Sequence, residues 1–240
     1  MSKVAQVRNF EEDGPGATPY MWDLNNPHGY GNRIGRYRTG IETRFLLDHI
    51  GKPPQRILDL GGGSGRFGSE LAARGHHVTL IDKNPQAVAM AKKRGVQRAI
   101  ACDISEFHES NFDSVVCMEV LEYFEKCDTI FAKAAESLKP GGMFIFCFTN
   151  SQSWRYRLRS MKSRKTTAHA FTLKEVGSSL KSHQFEMLEC KGFQWSLAQT
   201  GSDSLLVAAS IWVEKGLGLQ NWLSQSPWLL YACRKVDRSL

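Results

Sequence analysis

No apolar run in this 240-residue sequence reaches the roughly 20 residues that a membrane-spanning helix needs. The first residues, Met1 to Glu12, are polar and lack the apolar stretch of a secretory signal. These absences predict a cytoplasmic protein. The six cysteines, at 102, 117, 127, 147, 190 and 233, form no Cys-x-x-Cys pair and no Cys/His ligand spacing. Reduced, buried thiols and no metal are therefore expected. No internal repeat is present. Acids are fewer than bases, 24 against 31, which leaves a formal charge of +7 and a mild pointer to an anionic partner.

The most informative stretch is Ile57-Leu58-Asp59-Leu60-Gly61-Gly62-Gly63-Ser64-Gly65. An apolar run ending in an acid and then in a glycine cluster reads as a buried parallel strand whose C-terminal turn faces a ligand. Glycines at 61, 63 and 65 let the backbone turn tightly and approach a bound molecule, because a side chain there would occupy the ligand's volume.

Around that turn the chain alternates. A helix is expected over 36–50, stopped by Gly51 and Pro53-Pro54. Strands at 55–60, 77–82 and 97–102 alternate with helices at 66–74 and 85–94, the second opened by Asn84-Pro85. A strand at 112–118, a helix at 127–138, the turn Lys139-Pro140-Gly141-Gly142 and a strand at 143–148 follow. This alternation predicts an α/β fold with a mostly parallel sheet and helices on both faces. Residues 1–35, with Tyr20, Trp22, His28, Tyr30 and Arg33, read as an arm that caps the site. Residues 36–150 read as the core.

Past Asn150 the character changes. Residues 151–165 hold Arg155, Arg157, Arg159, Lys162, Arg164 and Lys165 with no acid, either as a basic amphipathic helix or as a mobile loop. The span 151–172 is thus a basic insertion near the substrate entrance, and 173–240 completes the same fold. A helix at 173–181 has Thr172 as its N-cap and Glu175 at capping-box spacing. Two strand-like runs, 185–195 and 205–213, are expected to close the sheet as an antiparallel pair. The aromatic tail 217–231 packs on the body, touches a membrane or forms a dimer surface.

Three acids, Asp59, Asp82 and Asp103, stand at the ends of successive strands. Asp82 lies 21 residues beyond Gly61, where a carboxylate can accept both hydroxyls of a ribose. Asp103 is placed to meet the amine of a base, and Ile104 offers an amide and an apolar face. Asp59 can orient the glycine turn or bind an ammonium group. Gly63-x-Gly65-x-x-Gly68 also fits the dinucleotide fingerprint, so an NAD(P)-dependent oxidoreductase stays open as an alternative. A pyrophosphate, however, is poorly matched to an acid directly before the glycines.

Five ordered motifs between Gln55 and Phe148 resemble those of class I S-adenosylmethionine-dependent methyltransferases of the small-molecule type. They are Leu58-Asp59-Leu60-Gly61-Gly62-Gly63-Ser64-Gly65, Leu80-Ile81-Asp82, Ala101-Cys102-Asp103-Ile104, Phe112–Glu122 and Leu138-Lys139-Pro140-Gly141-Gly142-Met143-Phe144. The resemblance implies a Rossmann-like seven-stranded sheet with an antiparallel last strand, and S-adenosyl-L-methionine as cofactor. It places Gly61, Gly63 and Gly65 around the methionine moiety, Asp82 on the ribose with Lys83 beside it, and Asp103 and Ile104 at the adenine. Met118 and Glu119 line the other side. Relatives commonly carry Glu-His where this chain has Glu122-Tyr123, so no histidine base stands there.

The implied activity is methyl transfer to oxygen or nitrogen of a small molecule. An anionic, sugar, quinone-like or lipid-linked acceptor is left open by the residues. His169, in the stretch His169-Ala170-Phe171-Thr172, is the candidate base, and Tyr123 is a candidate for orienting the acceptor. Arg33, Arg36 or Arg38 could grip the cofactor's carboxylate. Nucleic acid is disfavoured, since no RNA-binding module accompanies the basic stretch. Peripheral membrane contact and a non-catalytic, cofactor-binding regulator are the other readings that remain.

Overall fold

The structure, a computed structural model, describes residues 30–162, 169–195 and 205–236. The arm residues 1–29, and with them Tyr20, Trp22 and His28, lie outside the described residues, as do Arg164 and Lys165.

Helix α1 (Arg33–His49) opens on Asn32, whose side chain accepts a hydrogen bond from the Gly35 amide at 2.8 Å. Then come β1 (Arg56–Leu60), α2 (Gly68–Ala73), β2 (His77–Asp82), α3 (Pro85–Lys93), β3 (Arg98–Ala101), β4 (Phe112–Cys117), α4 (Asp128–Ser137) and β5 (Leu138–Thr149). The second half holds α5 (Trp154–Lys162), α6 (Leu173–Ser182), β6 (Phe185–Phe193), α7 (Leu205–Gly216) and β7 (Trp228–Lys235). Caps fall where residue chemistry put them. Asn84 accepts from the amides of Gln86 and Ala87 ahead of Pro85, and Thr172 and Glu175 form a reciprocal capping box.

The seven strands form one sheet in the order β3-β2-β1-β4-β5-β7-β6. Strands β1 to β5 pair in parallel, and β7 runs antiparallel to both of its neighbours. From β1 the chain winds outward through β2 to β3, then returns to β4 on the other side of β1. That reversal opens a crevice at the C-terminal ends of β1 and β4, the place where such sheets hold ligands.

Both faces of the sheet are covered, so the central strands carry apolar residues on each side. On β5, Phe144, Phe146 and Phe148 point to one face and meet Phe131 of α4, Phe185 and Tyr231. Ile145 and Cys147 point to the other, against Phe45 and Leu46 of α1, Phe67 and Val116. Ring centroids of Phe146 lie 4.6 Å from Phe144, 4.9 Å from Phe131 and 5.3 Å from Tyr231.

The structure corrects the expected closing pair. Residues 205–213 are not a strand; they lie in helix α7, and the partner of β6 is β7, whose first half falls within the expected tail 217–231. The run Leu205-Leu206-Val207-Ala208-Ala209-Ser210-Ile211-Trp212-Val213 is apolar but for Ser210 and shows no alternation, and periodicity alone does not separate a buried strand from a helix in such a run. What decides for helix is Glu214, whose buried carboxylate accepts the amides of Gln194 and Trp195 at 3.2 and 3.0 Å from the helix's inner face. Strand β7 hid for the opposite reason: it lies between two strands and is buried on both faces, so it shows no polar alternation. The expected turn 139–142 is instead looped out within β5, since Phe112 pairs with Leu138 but Ser114 with Met143. The basic segment resolves as a helix over Trp154–Lys162.

Phe146→Ala should remove a fully buried ring from the centre of this packing and cost about 3–5 kcal/mol of unfolding free energy, read by urea denaturation.

Candidate active site

The glycine turn after β1 is built from three left-handed residues, with φ of +65° at Gly61, +55° at Gly63 and +82° at Gly65. Their surroundings differ. A Cβ on Gly61 would come within 2.7 Å of Val120, and one on Gly65 within 3.1 Å of the Ala91 backbone. At Gly63 nothing lies closer than the Asp82 carboxylate, at 3.9 Å. Gly63 thus presents bare backbone to open space beside Asp82, a cradle that a side chain would fill.

The three strand-end acids do different work. Asp82, half-buried at the end of β2, accepts the Gly63 amide at 2.9 Å and the Asn84 amide at 2.8 Å. It is therefore held rigid at the lip of the crevice. Asp59 is buried beneath the turn, so tightly that a Cβ on Gly62 would fall 2.5 Å from its carboxylate, and it accepts the Gly68 amide. Burial, then the nearby Asp82 charge, raises its pKa to about 7. Of the two roles expected for Asp59, its position matches orientation of the turn. Asp103 is exposed, caps the short turn Ile104–Glu106, and accepts Ser105 N and Oγ at 2.9 and 2.6 Å. Those bonds hold its carboxyl below the usual range, with Lys83 adding to the effect. Ile104 is buried behind it, and Lys83 is exposed.

On the other side of the crevice, Met118 is buried and Glu119 adopts a left-handed φ of +58°, an uncommon and costly conformation for a residue with a side chain. Its carboxylate is the centre of a buried ionic cluster. Arg38 reaches Glu119 Oε1 at 2.8 Å, Arg66 reaches the same oxygen at 3.0 Å, and the Tyr30 hydroxyl donates to Oε2 at 2.5 Å. Glu42 joins at 3.3 Å from Arg66 and 4.0 Å from Arg38. The guanidiniums also stack: Arg38 lies 4.0 Å from the Trp228 ring centroid, and Arg66 lies 4.5 Å from that of Tyr30 and 4.3 Å from that of Phe67. Burial alone would raise Glu119, but the two arginines hold it down to about 2. Burial and the Glu119 charge push Glu42 up to about 8. Arg38, a sequence candidate for gripping a ligand carboxylate, is thus engaged by a carboxylate of the chain itself.

Glu122, passed over at the sequence level, occupies the short turn Leu121–Tyr123 and is buried. Its Oε1 accepts the Thr149 amide at 2.9 Å and hydroxyl at 3.1 Å, while Oε2 has no hydrogen-bond partner among the described residues. Burial raises its pKa to about 7. The Glu122 carbonyl accepts the His169 amide at 2.8 Å, which brings the exposed His169 beside the same turn. Tyr123 is raised far above its ordinary pKa by burial and then by Glu122, Glu119 and Asp82, so it keeps its proton and can donate it in a hydrogen bond to a ligand oxygen. Sequence signals for the missed residues existed: Arg38 and Glu42 stand at helical i, i+4 spacing, and Arg66 directly follows the last glycine of the turn.

Glu119→Ala leaves two buried guanidiniums facing one carboxylate, and should cost about 3–5 kcal/mol in denaturant titrations. Glu42→Gln should act differently. The folded-state pKa of Glu42, about 8, lies above its ordinary 4.5, so the folded state holds a proton that the unfolded chain releases. Its stabilising contribution is complete below pH 4.5 and is lost as pH climbs toward 8. The variant should flatten that part of the stability profile, measured by thermal unfolding at stepped pH.

Known proteins resemble this chain in sequence and in fold. Residues 58–146 match the model of a methyltransferase domain. A ubiquinone biosynthesis O-methyltransferase from Hahella chejuensis is 30% identical over 155 residues, covering 61% of this chain and 62% of that protein. One from Xylella fastidiosa strain M23 is 34% identical over 141 residues, 55% of this chain and 56% of that protein. The chain thus spans about six tenths of the length of the curated relatives it matches. Among solved structures, the magnesium protoporphyrin IX methyltransferase of Synechocystis PCC 6803 with bound S-adenosylhomocysteine superposes with a TM-score of 0.66 at 13% identity, over 97% of this chain and all of that one. An S-adenosylmethionine-dependent methyltransferase of Methanosarcina mazei gives 0.61 at 22% identity, over 80% of this chain and 97% of that one. Residues 58–146 are thus similar in sequence to methyltransferase domains, and the seven-stranded sheet around them has the fold of solved S-adenosylmethionine-dependent methyltransferases.

Proposed function

We propose that this chain transfers a methyl group from S-adenosylmethionine to a hydroxyl oxygen of a quinone-like small molecule. The observation that carries the cofactor assignment is the pairing of the open Gly63 backbone with the Asp82 carboxylate at the switch point of the sheet. Asp82 would take the ribose hydroxyls, and Asp103 with Ile104 the adenine. Gly61, Gly63, Gly65 and Met118 would border the methionine end. When bound, the cofactor supplies a methyl group already activated by a sulfonium, so the protein mainly positions and desolvates. A dinucleotide is the poorer occupant, because the buried acid Asp59 lies directly beneath the glycine turn on which its pyrophosphate would rest. The oxygen acceptor follows the relatives from Hahella and Xylella, which are O-methyltransferases.

An oxygen acceptor must lose a proton as it is methylated. Glu122 supports that role better than His169: its buried carboxylate has one uncommitted oxygen and a pKa near 7, where a base works near neutrality. Tyr123 would hold the acceptor oxygen by donating to it. Arg155 stands at the start of α5, where its Nη1 donates to the Gln194 carbonyl at 3.3 Å. Burial, and then the Arg38 and Arg159 charges, bring it down to about 10, a setting that favours an acidic group on the acceptor.

Titration with S-adenosylhomocysteine tests the cofactor reading, with no binding at millimolar concentration as the failing result. Asp82→Ala should weaken that binding by about 1.5–3 kcal/mol for each hydrogen bond lost. For the reaction, incubation with labelled S-adenosylmethionine and a panel of dihydroxyphenyl acceptors should give labelled methyl ethers. Glu122→Gln should then lower turnover by about 10²–10⁴ and abolish the fall in rate below pH 7, while leaving cofactor affinity intact. His169→Ala should leave the pH profile in place.

A further inference from the structure

Helix α7 is apolar around most of its circumference, yet only Val207 and Glu214 are buried among its described side chains. Ala208, Ala209, Trp212, Val213 and Gly216 share one outward face at helical spacing. Trp212 is 75% exposed, and just beyond the helix Leu217 is 70% and Trp222 56% exposed. Three large apolar side chains left this open within eleven residues are rare on a surface that faces only water.

This face is tied to the basic helix α5. Asn150, at the end of β5, is fully buried, and its side-chain amide donates to the carbonyls of Leu223, Ser224 and Ser226. It therefore fixes the segment after Trp222 at the point from which α5 departs. The Gln194 peptide makes a second tie, its carbonyl accepting from Arg155 of α5 and its amide donating to Glu214 of α7. On α5, Arg157, Leu158 and Arg159 are exposed. The spans 151–162 and 205–225 together contain one acid, Glu214, and it is buried. An apolar, tryptophan-bearing face thus adjoins a set of cations, with no exposed acid among the described residues of these two spans.

From this juxtaposition we infer that the surface formed by α7, Leu217, Trp222 and the outer side of α5 docks on a lipid bilayer rich in anionic headgroups. Tryptophan and leucine enter the boundary between headgroups and acyl chains, while Arg157, Arg159 and Lys215 stay at the phosphate level. Charge complementarity selects this occupant over a second copy of the chain, since a self-complementary contact would bring the same cations together. The docked face lies at the C-terminal edge of the sheet, so the crevice would open toward the bilayer and an acceptor dissolved in it would have a short path. The docking stands apart from methyl transfer, because it is read without an acceptor.

Flotation with phosphatidylcholine vesicles, and with the same vesicles containing phosphatidylglycerol, tests the inference on the full chain. Binding should require phosphatidylglycerol and weaken as salt is raised. Trp212→Glu with Leu217→Glu should lower the bound fraction at least about tenfold. Arg157→Glu with Arg159→Glu should lower it by about fivefold or more for each cation replaced. Thermal unfolding and S-adenosylhomocysteine titration of the same variants report the fold and the crevice separately. Absence of binding to either vesicle, equal binding to neutral vesicles, or binding unchanged in the Trp212/Leu217 variant would overturn it. So would sedimentation showing a dimer that those substitutions dissolve while vesicles bind nothing.

Discussion

One carboxylate, that of Glu119, holds two guanidiniums and a phenol in a space closed to water, and the site depends on that arrangement. Burying charge is expensive, and a buried ion pair is weak evidence of net stabilisation. What it supplies here is position. Arg38 comes from α1, Arg66 from the end of the glycine turn, Tyr30 from the segment before α1, and Glu119 from the end of β4. Three separate stretches of chain, the one from Tyr30 into α1, the glycine turn and the end of β4, therefore meet at this acid. Its left-handed backbone, which costs energy anywhere, persists because those partners over-determine it.

The same cluster explains how two glutamates a few ångströms apart behave oppositely. Glu119 sits between both arginines and stays ionised, whereas Glu42 is reached mainly by Arg66 and feels the Glu119 charge. Two like charges in one buried space separate into one ionised and one proton-holding group. Cys147 lies alongside, its sulfur accepting the Glu119 amide, and burial raises its thiol so that it stays protonated and packs as a small apolar group.

The parallel half of the fold was legible in the residues, because strand ends there carry punctuation: Asp59 before glycines, Asp82 before Asn84-Pro85, Asp103 before its capped turn. The acids, the turn and the helix caps are local features, and local chemistry placed them. Long-range ones escaped. Nothing near Glu119 announces that Arg38, 81 residues earlier, will meet it. Likewise, α7 and β7 are both apolar runs, and what tells them apart is the buried reach of Glu214 and the two strands flanking β7. Glu122 was hidden differently. Its value lies in an oxygen left without a partner, and that is a property of three-dimensional surroundings.

The position of β7 bears on how the chain is made. It follows β6 in sequence but lies between β6 and β5 in the sheet. During synthesis, therefore, β5 waits with an open edge from the time Thr149 emerges until Trp228 does, and β6 has no neighbour at all. Each edge is a row of unpaired amides and carbonyls backed by phenylalanine, the kind of template on which nascent chains pair with one another. The sheet is complete only when the inserted strand, the last in the chain, is in place between the two open edges.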